Sequence, residues 1–83
     1  MAGNTNMHIV TSNDKDFSAL LHAWRNALEV GAFKKNGKLQ LVKASQNFVM
    51  ITEGGASPKK IAFRPARSHA EAVSAALNLL QAS

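Results

Sequence analysis

With 83 residues, the chain has room for one hydrophobic core, since a second could not bury enough surface to offset its ordering entropy. The absence of cysteine excludes disulfides, thiolate metal sites and cysteine nucleophiles. A net charge of +5, with eight of the ten basic residues between Lys34 and Arg67, disfavours nucleic-acid mimicry and favours polyanionic or acidic partners.

Met1–Asn6 is small and polar, and is expected to be a disordered lead to a single α+β domain over residues 7–83. No apolar run approaches the roughly 20 residues that span a bilayer, and nothing near Met1 reads as a secretory signal. With no cysteine, the expected location is the cytoplasm. Met7–Thr11 is β-prone, and reads as an extra edge strand or an extended lead. Ser12, Asn13 and Asp14 are N-cap candidates, with Asp14 and Asp16 suited to a helix N-terminus. Phe17, Leu20, Leu21, Trp24 and Leu28 then fall on one helical stripe. Gly31 reads as the helix stop and Asn36-Gly37 as a turn.

Three β-prone runs follow: Lys38–Lys43, Asn47–Thr52 and Lys59–Arg64. Their short links, Ala44–Gln46 and Gly54–Pro58, predict an antiparallel meander with Asn47–Thr52 in the centre. Pro65 ends the third run. Ser68 and Glu71 form a Ser-x-x-Glu capping box, and Val73, Ala76, Leu77 and Leu80 mark a second helix. The expected order is α-β-β-β-α, a three-stranded sheet packed on two helices.

The central run is apolar on both faces, with Phe48 and Met50 on one side and Val49 and Ile51 on the other. If both helices cover the face of Leu39, Leu41, Ile61 and Phe63, one central pair is left facing outward beside Val42 and Ala62. Val42, Phe48, Val49, Met50 and Ile51 are therefore the expected partner or dimer interface, with Lys60 and Arg64 around it.

Catalytic chemistry finds little support in these residues. His8, His22 and His69 lie in separate segments, without the i, i+4 spacing of a helical metal site. Five acidic residues provide no carboxylate pair, and the capping box accounts for Ser68 and Glu71 beside His69. Gly54-Gly55 followed by Ser57 and Lys59 lacks P-loop spacing and reads as a turn. Neither an enzyme nor a cofactor or metal site is expected.

The basic residues instead predict a diffuse band over the sheet. Lys34, Lys35, Lys38, Arg64 and Arg67 are expected at one end, with Lys43 and Lys59 at the other. Such a band suits phosphate contacts, which are salt-dependent and largely blind to sequence. Phe48 is the best candidate for stacking a base.

The α-β-β-β-α order is similar to that of double-stranded-RNA-binding domains, and Gly55, Ser57, Lys59, Lys60 and Ala62 echo their Gly/Ser-Lys-Lys-x-Ala segment. In that family the lysine pair opens the second helix. Here Phe63, Arg64 and Pro65 extend the segment as strand, and the helix begins near Ser68. The resemblance therefore stops at topology.

The leading expectation is a small non-catalytic protein that contacts nucleic acid through Lys34, Lys35, Lys38, Lys59, Lys60, Arg64 and Arg67. The alternative is a protein–protein module, such as a phage- or plasmid-type inhibitor or regulator acting on an acidic protein or ribonucleoprotein. A homodimer through the sheet is compatible with either.

Overall fold

The computed structural model describes residues 7–54 and 58–82, in the order β1 (His8–Thr11), α1 (Phe17–Asn26), β2 (Leu28–Lys35), β3 (Lys38–Ala44), β4 (Phe48–Glu53), β5 (Lys60–Pro65) and α2 (His69–Ala82). The strands form one antiparallel sheet ordered β1-β5-β4-β3-β2. The α+β class, the β3–β4–β5 meander, the N-terminal edge strand and both helices match the sequence expectations. The lead expected over residues 1–6 lies outside the described residues. So do Gly55 and Ser57, which belonged to the turn reading and to the RNA-binding-domain resemblance.

The largest departure is β2. Leu28 continues the helical spacing from Trp24, yet α1 ends at Asn26 and Leu28 is 54% exposed on a strand. Side chains satisfy the carbonyls of the last turn. Asn26 Nδ2 donates to His22 O at 3.0 Å, and Lys43 Nζ donates to Trp24 O at 3.1 Å. Downstream, Asn36 and Gly37 both take positive φ, 54° and 81°, the signature of a two-residue hairpin turn. That turn sets Lys35 opposite Lys38 and recruits residues 28–35 as a strand. Gly31 is not a helix stop but a strand residue opposite Val42. A Cβ there would come within 2.6 Å of Leu80 Cδ1, so glycine lets β2 pass close beneath α2.

The second correction concerns the faces of the sheet. Side chains alternate along a strand, so Phe48, Met50 and Thr52 share one face while Val49 and Ile51 share the other. Met50 and Ile61 pack with Phe17, Leu20 and Trp24 of α1, and Phe48 and Phe63 join them. Val42 and Val49 pack with Ala75 and Ala76 of α2, joined by Ile51, Phe33 and Leu80. The helices thus lie on opposite faces, and each covers its own cluster. Full burial of a side chain such as Met50 or Ile61 contributes roughly 1.5–3 kcal/mol. The apolar central strand needs no partner, because the chain covers both of its sides.

The helix starts differ from each other. Glu71 N–H donates to Ser68 Oγ at 3.1 Å, as the capping box predicts, while the Glu71 carboxylate accepts from Arg67 N–H at 3.0 Å, one residue before the expected amide. At α1 the N-cap is Asp16, which makes no side-chain cap bond. Asp14 instead closes the sheet edge. Ser12 N–H turns inward to Lys59 O, which leaves the backbone of Thr11 facing outward. Asp14 Oδ2 accepts Thr11 N–H at 2.9 Å, and Asp14 N–H donates to Thr11 O at 2.9 Å. Satisfying both groups blunts an edge that another strand could pair with.

Thr52, 2% exposed on the α1 face, has a hydroxyl with no hydrogen-bond partner among the described residues. Its desolvation is uncompensated, so Thr52→Val should stabilise the fold by about 1 kcal/mol. Thermal unfolding should show a midpoint about 4–8 °C higher. A lower midpoint would mean that the hydroxyl is engaged.

Candidate functional site

Because α2 lies over β2, β3 and β4, it leaves part of its face of the sheet open. The open part is a shallow hollow of about 460 Å³ that reaches across all five strands. Register assigns its floor. Ile9 lies opposite Ala62, Ala62 opposite Ile51, and these form an apolar row. The adjacent row is Lys60, Glu53, Gln40 and Phe33. Thr11 pairs with Lys60, Gln40 with Glu53 and with Phe33, and continuing the Ile51–Ala62 register by two residues sets Lys60 opposite Glu53. Beyond that row, Lys35 and Lys38 face each other beside the hairpin turn.

Strand direction corrects the expected placement of the lysines. β3 and β5 run the same way, so their first residues share an end of the sheet. Lys59 and Lys60 therefore sit at the end of Lys34, Lys35 and Lys38, not at that of Lys43. Arg64 and Arg67 fall at the opposite end, because β5 runs away from the lysines. The band is not diffuse: five of the eight crowded basics gather at one end, and Lys35, Lys38 and Lys60 line the hollow. Lys34, opposite Leu39, points to the other face of the sheet. Lys35 and Lys60 are three inter-strand steps apart, about 14 Å across the sheet, and two residues apart along it.

Acidic groups at this end are few. Glu53 lies in the hollow, with its carboxylate 3.9 Å from Lys38 Nζ. Both side chains are more than half exposed, so the pair contributes about 0–1 kcal/mol and leaves Lys38 available. Asp14 stands at the β1 side, held to Thr11. Lys43, by contrast, is structural. Its ammonium lies 3.9 Å from the Trp24 ring centroid while it caps α1.

Of the expected interface residues, only Ile51 reaches the hollow. Val42, Val49 and Met50 are fully buried under the two helices, and Ile51 is half-buried with the α2 cluster. Phe48 is half-buried on the α1 face, edge-on to Phe63 with ring centroids 5.4 Å apart, so it offers no stacking platform. The aromatic ring at the hollow is Phe33. Sequence reasoning missed Phe33 and Ile9 as site residues because it lacked β2 and the β1–β5 pairing. The only available signal was the Asn36-Gly37 turn, which a hairpin reading would have extended back to Phe33.

Among the described residues, no three His, Asp or Glu side chains gather as a metal site, and no helix is long and apolar enough to cross a membrane. The chain matches no protein-family model, no curated protein and no solved structure, and its chemistry rests on its own residues.

Proposed function

We propose that this is a non-catalytic protein that binds nucleic acid at the lysine end of its sheet. The observation that supports this reading is the convergence of Lys35, Lys38 and Lys60 on one hollow, with Lys34 and Lys59 beside it. Lys35 and Lys38 are cross-strand neighbours and Lys60 lies two to three strands away, so their ammonium groups can meet separate phosphates along one strand without reordering the backbone. Their attraction to a polyanion includes the release of condensed counterions, so affinity falls steeply with salt. Arg64 and Arg67, at the far end, would add only long-range field.

Binding to oligonucleotides should be measured across a salt series. Three to five phosphate contacts predict a slope of log K against log salt between about −2 and −4.5, depending on strandedness. Absence of binding at low salt, or a flat slope, would end this reading. The second reading, an acidic protein partner, is favoured by the exposed apolar residue in the hollow, Ile9 at 61%. A protein partner should survive nuclease treatment and be lost with Ile9→Asp, whereas a nucleic acid should not survive the nuclease.

A further inference from the structure

Resting on the nucleic-acid reading, we infer that the hollow receives unpaired nucleobases of one strand, one against Phe33 and another over Ile9 and Ala62 on the far side of the sheet, so that the ligand is single-stranded. The lysines do not stand alone. They share the hollow with the apolar row of Ile9, Ala62 and Ile51, and with Phe33 in the adjacent row. A duplex presents phosphates and polar groove edges, and would leave this apolar row in contact with nothing. An unpaired base presents a flat apolar face and carries a phosphate on each side.

Glu53 supports the same conclusion. A carboxylate among three lysines is unfavourable in a pure phosphate cradle, since it repels the ligand it helps to surround. Beside Gln40, it supplies acceptors and a donor for the polar edge of a base. Phe33 is half-buried against the α2 cluster, which fixes its ring before any ligand arrives. One rigid ring is enough to stack one base.

The test compares a single-stranded oligonucleotide of about a dozen residues, as DNA and as RNA, with the blunt duplex of the same sequence, by fluorescence anisotropy at low salt. At least one single strand should bind about tenfold more tightly than the duplex. Phe33→Leu keeps apolar bulk but removes the flat face. It should weaken single-strand binding about tenfold and leave duplex binding unchanged. Ile9→Asn changes an exposed floor residue without altering charge or core, and should weaken the single strand alone by several-fold. It keeps the test decisive if Phe33→Leu does not fold. Duplex binding as tight as single-strand binding, or single-strand binding indifferent to Ile9→Asn, would overturn the unpaired-base inference and leave the lysine reading standing. Failure of every oligonucleotide to bind at low salt would overturn both.

Discussion

Reversing Lys35, Lys38 and Lys60 together to glutamate should abolish nucleic-acid binding, with a loss of about a thousandfold or more. Each reversal removes two units of charge, which takes the net charge from +5 to −1. Three charge-assisted hydrogen bonds at about 1.5 kcal/mol each already correspond to that factor, before repulsion is added. The three side chains are exposed, so the fold should survive, and an unchanged thermal midpoint would confirm it. Reversal of Arg25 and Arg67, at the opposite end of the sheet, separates local contact from overall field. That pair should cost less than about tenfold at moderate salt, where the Debye length is about 10 Å. Equal losses in the two variants would mean that charge acts without a site.

Met50→Ala should cost about 2–5 kcal/mol of unfolding free energy, a large part of the 5–15 kcal/mol expected of a domain. Met50 is fully buried between Lys43 of β3 and Phe63 of β5, against α1. Truncation leaves a cavity that the sheet cannot close without moving the helix. Urea unfolding of the isolated chain measures this directly. Had Met50 belonged to an outward interface, the substitution would barely change stability and would instead weaken association. Leu39→Ala is the contrast. Leu39 is 46% exposed on the same face, and its truncation should cost less than about 1 kcal/mol.

Local signals carried the parts of the fold that sequence could reveal. The Ser68–Glu71 capping box, the Phe17–Leu20–Trp24 stripe and the three meander strands each depend on residues within a few positions of one another. What eluded the sequence depended on distance along the chain. Whether residues 28–35 are helix or strand is decided by two side chains that close α1 and by a hairpin partner, and Lys43 acts from 19 residues away. The faces were misassigned for a related reason. An apolar stripe on a helix shows that it will be buried, not which side of a sheet it will choose. For the site, residue type was legible and position was not. The lysines stood out by composition, but their gathering at one end follows from strand direction. Phe33 and Ile9 entered the hollow only through the two edge strands.

The arrangement of β4 bears on how this chain can change. Each of its residues from Phe48 to Ile51 supports one packed cluster or the other, so both faces of the strand are constrained by packing. The lysines around the hollow contribute little to the fold, the exposed Lys38–Glu53 pair included. Lys35, Lys38 and Lys60 reach into solvent from positions set by backbone pairing alone. The charged rim of the hollow can therefore vary with little effect on the fold, whereas Phe33 and Ile51, which line it and also pack under α2, cannot.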